Sequence, residues 1–231
     1  MKMKYLLLIL PLLLIAAMPA LGSSAYLGGY TGLILTPGAY VTPTGAWDLA
    51  FHDLIGASES NRDFLTYSLT YGLTENLEIG GAIVSSTGQT DLALNGKYII
   101  MNEEASRPAL AIGVYDALGM VDTVNANPSF YIVVSKDLTA AASKAVQAPS
   151  KPFRVNAGLG SGVFNTFFVG LDWTLARTIS VQFEYSNGSL DGESSLFNAG
   201  LRWAVSNQIR IDAGLIQFQD FAFGFNYRMG Y

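Results

Sequence analysis

The sequence has no cysteine and only one histidine, His52. The missing thiol excludes disulfide bonds and a lipid-modified cysteine. One imidazole without thiols cannot build a transition-metal site of the usual ligands. Charge is scarce as well, because only 13% of residues are charged and the net charge is −5. No basic run is available to bind nucleic acid. We therefore expect no metal, no cofactor and no nucleic-acid partner.

A catalytic base is the alternative role for His52, which shares a predicted strand face with Asp48. No second histidine and no serine motif accompanies it in the sequence. A hydrogen-bonded histidine inside the fold is the simpler interpretation. We predict no catalytic residue and no enzymatic activity.

The N-terminus has the layout of a secretory signal peptide. Lys2 and Lys4 precede an apolar run from Leu6 to Ala17, and small residues follow. A helix over that run would rise only about 18 Å, whereas a hydrocarbon core is about 30 Å thick. We predict a signal peptide over residues 1–22, with cleavage as late as residue 25.

Long hydrophobic runs are absent after residue 25, although half of all residues are hydrophobic and the mean hydropathy is positive. A membrane-spanning helix needs about eighteen or more consecutive apolar residues. Only helices and closed barrels satisfy their backbone groups in lipid. We therefore predict a β-barrel over residues 46–231, which contacts the lipid of the bacterial outer membrane.

Alternation of apolar and polar residues supports this interpretation, most clearly at the C-terminus. Phe221, Phe223 and Phe225 share one face of a strand, while Asp220 and Asn226 share the other. Twelve such segments follow one another along the chain. They predict an all-β, antiparallel, up-and-down transmembrane barrel of about 12 strands, with ten or fourteen as the alternatives. An even number returns both ends of the barrel to the periplasm.

The last strand also carries an assembly signal. Gly224, Tyr227 and Met229, followed by the aromatic Tyr231, resemble the C-terminal signal by which outer-membrane barrels are recognised. We expect the barrel-assembly machinery to be a partner of this chain.

The inward faces of the predicted strands carry five acids and five bases: Asp48, Glu78, Lys97, Arg154, Asp172, Glu184, Arg202, Arg210, Asp212 and Arg228. Two arrangements fit this balance. The charges either pair with one another and fill the lumen, or they line a hydrated pore and tune what passes through it. Twelve strands lie between the filled barrels of eight and the open porins of sixteen.

Residues 26–45 match no membrane strand, because they are rich in glycine and contain two Thr-Pro steps. They are nevertheless apolar and almost uncharged, unlike a disordered linker. We expect this turn-rich segment to pack against the lumen wall as a plug, where Tyr115, Tyr131 and Phe168 face inward. The alternative is a position flat under the periplasmic rim.

The same segment carries a recognisable motif: Gly32, Thr36, Pro37, Ala39, Pro43 and Gly45. Together with the turn Tyr71 to Thr74, it resembles the opening motif of the YjbH-like outer-membrane β-barrel family. The resemblance implies a non-enzymatic envelope component linked to exopolysaccharide production or export, with surface polysaccharide as a partner. A narrow passive channel for small solutes or ions is the alternative function.

Overall fold

The computed structural model describes residues 24–25, 28–55, 64–86, 89–121, 127–141, 145, 151–187 and 196–230. The expected signal peptide and Tyr231 lie outside the described residues. Across the described ranges, no helix is long and apolar enough to cross a membrane.

Fourteen strands are described, two of them only two residues long. These two, β1 (Ser24–Ala25) and β2 (Thr31–Gly32), pair with each other in the N-terminal segment. The others form the barrel: β3 (Trp47–Ile55), β4 (Phe64–Gly72), β5 (Leu77–Ser86), β6 (Gln89–Met101), β7 (Ala109–Tyr115), β8 (Ser129–Asp137), β9 (Phe153–Gly160), β10 (Thr166–Ala176), β11 (Ile179–Ser186), β12 (Leu196–Ala204), β13 (Ile209–Ile216) and β14 (Asp220–Met229).

Each barrel strand pairs antiparallel with the next, and β14 pairs with β3 to close the barrel. The prediction of a closed twelve-stranded antiparallel barrel is confirmed. The strands vary in length from seven residues in β7 to thirteen in β6. The short strand ends where Asp116 adopts a left-handed backbone with φ of 50°, and β6 contains a bulge near Ile99.

Side chains alternate between the two faces of the wall. In β14, Phe221, Phe223 and Phe225 are at least 40% exposed on the outer face, whereas Asn226 and Arg228 are buried. All three tryptophans, Trp47, Trp173 and Trp203, lie on the outer face near the end of the barrel where β3 begins and β14 ends. An apolar outer band with an aromatic girdle at its rim suits lipid.

We call the end of the barrel where β3 begins and β14 ends the terminal end, and we call the opposite end the distal end. The core lies inside the barrel, because the buried apolar residues come from the inward faces, from the N-terminal segment and from two connections that contribute Val121 and Phe164.

Candidate functional site

The N-terminal segment lies inside the lumen. Tyr30, Leu33, Ile34 and Leu35 are each at most 8% exposed, although they belong to no membrane strand. We call residues 28–42 the plug and residues 43–46 the hinge, which leads into β3. The apolar side chains of the plug pack in the core and against glycines of the wall.

The tip of the plug is held by one carboxylate of β11. The backbone N–H groups of Ile34, Leu35 and Thr36 donate to Glu184 at 3.2, 2.8 and 3.0 Å, and the Thr36 hydroxyl donates at 2.8 Å. Asn198 on β12 adds a side-chain bond at 2.8 Å. Consecutive backbone N–H groups pointing to one anion form a nest, and bonds to an ionised acceptor are stronger than neutral ones.

A second carboxylate holds both flanks of the plug. Glu78 on β5 accepts from the backbone N–H of Thr31 at 3.1 Å and from that of Thr42 at 2.7 Å. Lys97 on β6 donates to the Thr31 carbonyl oxygen at 2.6 Å and lies 3.5 Å from Glu78. Residues 31 and 42 are thereby drawn together into a loop that points into the barrel.

Two inward glycines of the wall receive apolar side chains of the plug. A Cβ built on Gly170 would lie 2.6 Å from Leu33 Cδ2, and one on Gly200 would lie 2.9 Å from Ile34 Cδ1. Real Cβ atoms do not approach that closely. The two glycines therefore act as notches for the plug, and a larger residue at either one would push its tip off the wall.

An aromatic cluster surrounds Tyr30 of the plug. The ring of Tyr30 lies 5.9 Å from Tyr115, 6.2 Å from Tyr131 and 5.8 Å from Phe164, measured between centroids. Phe168 packs against Phe164, with ring centroids 5.8 Å apart. Burial raises the pKa of Tyr30, so its hydroxyl stays protonated and donates to the Leu35 carbonyl oxygen.

The plug leaves the lumen at the terminal end between weaker contacts. The Tyr40 hydroxyl donates to Glu103 at 2.7 Å, and the Arg154 guanidinium lies 5.0 Å from the centre of the Tyr40 ring. Nearby, the Ala39 N–H donates to the Ser135 hydroxyl at 2.8 Å. Tyr40 and Glu103 are only half-buried, so water competes for these bonds more than for those at the tip.

The motif residues of the N-terminal segment shape this loop. A Cβ on Gly32 would meet the Thr36 carbonyl oxygen at 2.3 Å, and the chain there turns back so that Gly32 bridges to Pro37. Thr36 binds Glu184, and Ala39 is fully buried against the wall. The motif therefore specifies the turn and the wall contacts of the plug.

The remaining motif residues form the hinge. The Pro43 carbonyl accepts from the Ala46 N–H at 2.9 Å, and Gly45 has a φ of +77°, which favours glycine. The Gly45 N–H donates to the Gly72 carbonyl at 2.8 Å. Gly72 itself has no room for a side chain beside Pro43. The two stretches of the family resemblance, residues 32–45 and the turn at 71–74, thus meet in space.

A second cluster of buried charge lies on β12, β13, β14 and β3. Arg202 donates to Asp212 at 2.7 Å, Asn226 donates to the same carboxylate at 2.6 Å, and His52 lies 3.5 Å from it. Arg228 bonds Asp48 at 3.1 Å through Nε. These partners all come from the wall.

The structure places all ten predicted lumen charges on the inward face, eight of them buried and two, Arg154 and Asp172, half-buried. Four acids stand directly opposite a base on the next strand: Asp48 opposite Arg228, Glu78 opposite Lys97, Asp172 opposite Arg154 and Asp212 opposite Arg202. Glu184 differs, because its neighbours across the strands are Gly170 and Asn198. The acid without a base opposite binds the tip of the plug, and Glu78, which stands opposite Lys97, binds its flanks.

Three residues of the expected assembly signal lie in β14, and Tyr231 falls outside the described residues. Gly224 faces inward, where a Cβ would lie 2.0 Å from the His52 ring. Tyr227 and Met229 are half-exposed on the outer face. Gly224 therefore also leaves room for the His52 ring inside the barrel.

Several residues that contact the plug are not among the ten lumen charges predicted from the sequence. Asn95 donates to the carbonyl groups of Gly28 and Gly29 at 3.0 and 3.1 Å, and Ser135 binds Ala39. Phe164 reaches the lumen from a 3₁₀ turn, Gly162–Phe164. Inward alternation marks Asn95 and Ser135, but no sequence pattern marks Phe164. Within the described ranges, no group of three His, Cys, Asp or Glu residues could hold a metal ion.

The sequence matches the family model YjbH, described as exopolysaccharide biosynthesis protein YbjH, over residues 24–166. The match includes the plug, the hinge and strands β3 to β9. No curated protein is significantly similar to the sequence.

Three solved structures share the barrel fold. The KdgM porin is 8% identical, with a TM-score of 0.50 over 80% of this chain and 99% of that one. Omp33 of Acinetobacter baumannii is 7% identical, with a TM-score of 0.52 over 80% and 97%. The NanC porin is 8% identical, with a TM-score of 0.51 over 80% and 100%. At such identities the likeness concerns the fold alone, which is that of outer-membrane porins.

Proposed function

Since the chain belongs to the YjbH family of exopolysaccharide biosynthesis proteins, we propose that it is a non-enzymatic barrel of the bacterial outer membrane that serves exopolysaccharide production or export. Its lumen is closed at rest by the plug and opens when the plug leaves the wall. The observation that carries this proposal is the nest of Ile34, Leu35 and Thr36 around Glu184.

The contacts of the plug favour a closure that can open rather than a permanent core. Among the described residues, the plug is joined to the barrel by a hinge at one end only, and polar bonds to two carboxylates hold it to the wall beside its apolar contacts. Polar contacts exchange readily for water, whereas a purely apolar core does not. Without the plug, a barrel of twelve strands is wider than the filled barrels of eight strands and narrower than the open porins of sixteen. It therefore has room for a narrow passage.

A narrow passive channel for small solutes or ions is the second candidate function. The likeness to porins favours it, and one KdgM structure is described as a complex with disordered oligogalacturonate. The two candidates differ in the state of the lumen at rest. A passive channel conducts without any trigger, whereas the plugged barrel conducts only after the plug is displaced.

A reversible covalent lock tests the proposal. A Cβ built on Gly38 lies 3.9 Å from the Ser135 hydroxyl oxygen, which is within reach of a disulfide. The chain has no other cysteine to interfere. We expect Gly38→Cys/Ser135→Cys, when oxidised, to abolish exopolysaccharide secretion in cells that lack the wild-type copy, and reduction to restore it.

The two single-cysteine variants are the controls, since neither can form the lock. Secretion at the wild-type level by the oxidised double variant would refute an opening plug. Unchanged secretion after deletion of the whole gene would refute the exopolysaccharide role. Steady conductance of the oxidised protein in a planar bilayer would support the passive channel instead.

A further inference from the structure

The aromatic rings around Tyr30 form a preshaped surface on the lumen wall. We call Tyr115, Tyr131, Phe164 and Phe168 the aromatic cradle. All four are at most 4% exposed, and they come from the distal ends of β7, β8 and β10 and from the 3₁₀ turn. Tyr131 and Phe164 lie edge to face, with centroids 4.9 Å apart.

Glycines of the wall make room for this cradle. A Cβ on Gly113 would lie 2.3 Å from the Tyr131 ring, and one on Gly158 would lie 2.2 Å from the Phe168 ring. The rings are therefore recessed against the backbone of the wall. The ring of Tyr30, which belongs to the plug, lies against Tyr115, Tyr131 and Phe164 of this cradle.

A buried polar atom in the cradle has no partner in the described part of the chain. The Tyr131 hydroxyl is buried and makes no hydrogen bond there. Buried polar groups are normally hydrogen-bonded, and exceptions point to a ligand or to a functional role. A ligand with hydroxyl groups would satisfy this atom.

Charge in the lumen changes along the barrel axis. The five inward bases, Lys97, Arg154, Arg202, Arg210 and Arg228, all lie towards the terminal end. Asp91, Asp116 and Asp220 lie at the distal end, and the first two interact electrostatically with Tyr115 of the cradle. An anionic ligand is therefore disfavoured at the cradle, and an uncharged one is not.

We propose that the aromatic cradle is a stacking subsite for uncharged pyranose rings of a polysaccharide chain, which Tyr30 covers while the plug is docked. The inference rests on the proposed function, because the cradle is reached only when the plug opens. The apolar face of a sugar ring packs on an aromatic ring, and its hydroxyl groups bond the Tyr131 hydroxyl. Plug and saccharide then compete for one surface.

The test uses the full chain with Glu184→Gln/Tyr30→Ala, which loosens the plug and uncovers the cradle. The probes are maltohexaose, an uncharged glucose chain, and a six-unit oligogalacturonate of matched length. Binding is measured by calorimetry in detergent, and conductance is measured in a planar bilayer. We expect this variant to bind maltohexaose, and the oxidised Gly38→Cys/Ser135→Cys protein not to bind it.

Neighbouring aromatic residues on opposite faces of one strand provide the matched comparison. Adding Phe168→Ala should weaken maltohexaose binding at least about tenfold, the factor that corresponds to about 1.4 kcal/mol. Adding Phe167→Ala, which removes a ring from the outer face, should leave binding unchanged.

The outcomes separate this inference from the proposed function. A variant that conducts but binds no maltohexaose would overturn the subsite and leave the plug mechanism intact. Equal effects of Phe168→Ala and Phe167→Ala would also overturn it, since the cradle would then be only a socket for Tyr30. Tighter binding of oligogalacturonate would overturn the assignment to uncharged sugars. A variant that neither conducts nor binds would overturn the opening plug itself.

Discussion

Two sectors of the lumen wall carry buried charge and use it differently. In the plug sector, Glu78 and Glu184 bind backbone groups of the plug. In the ionic sector, Asp212 and Asp48 bind arginines of the wall itself. The two carboxylates of the first sector bond to the plug, whereas those of the second bond to arginines of neighbouring strands. Similar side chains thus serve closure in one sector and barrel stability in the other.

The largest expected effect comes from breaking the ionic sector. Asp212→Ala would remove the carboxylate to which buried Arg202 and Asn226 donate and which lies 3.5 Å from His52. Removing one member of a buried ion pair typically costs about 3–5 kcal/mol. We expect the free energy of unfolding to fall by that amount, measured by urea titration of the refolded barrel.

The matched control replaces both charges. Arg202→Met/Asp212→Leu removes the pair together and should recover much of the lost stability, because no isolated charge remains buried. Conductance should stay at the wild-type level in this double variant. Strong channel opening there would mean that the ionic sector also holds the plug.

Glu184→Gln should do the reverse, opening the lumen without unfolding the barrel. The substitution removes the ionised acceptor of Ile34, Leu35 and Thr36 but preserves the shape of the side chain. Bonds to a charged group contribute about 1.5–3 kcal/mol each. A net loss of about 2–3 kcal/mol in plug docking would raise the undocked population about 30- to 150-fold.

Single-channel recording measures this population directly, and urea titration reports the barrel. We expect frequent openings with an unfolding midpoint close to that of the wild type. A lowered midpoint without openings would place Glu184 in the same structural role as Asp212, and the contrast between the two sectors would be lost.

Packing between plug and wall offers a smaller and purely steric test. Gly200→Val introduces a side chain where Ile34 Cδ1 already lies, 2.9 Å from an added Cβ. Overpacking of this kind typically costs about 1–3 kcal/mol. We expect more frequent openings than in the wild type but fewer than with Glu184→Gln.

Gly96→Val is the control for this variant. Gly96 lies on the outer face, and a Cβ built there meets nothing closer than 3.9 Å. The control should leave conductance unchanged. Openings of equal frequency in both variants would mean that added bulk disturbs the barrel as a whole.

The ionic sector could be largely predicted from the sequence, and the plug sector only in outline. Alternation is local, so it places Arg202 and Asp212 on the inward face, and a short turn sets them opposite each other. Strand number and closure follow from the same local pattern. Glu184 lies 148 residues from Thr36 in the sequence, and no local pattern states that the two meet. Composition could indicate only that residues 26–45 pack against an apolar wall.

The smallest expected effect lies at the exit of the plug, where the two sectors give way to half-buried contacts. Tyr40→Phe keeps the ring beneath Arg154 and removes only the hydroxyl that donates to Glu103 at 2.7 Å. A neutral donor in such a place contributes about 1 kcal/mol, so the undocked population should rise about fivefold. Tyr67→Phe, on the outer face, is the matched control and should change nothing. If Tyr40→Phe opened the channel as often as Glu184→Gln, the plug would be held at its exit rather than at its tip. The bonds to Glu184 would then not be the contacts that keep the plug docked.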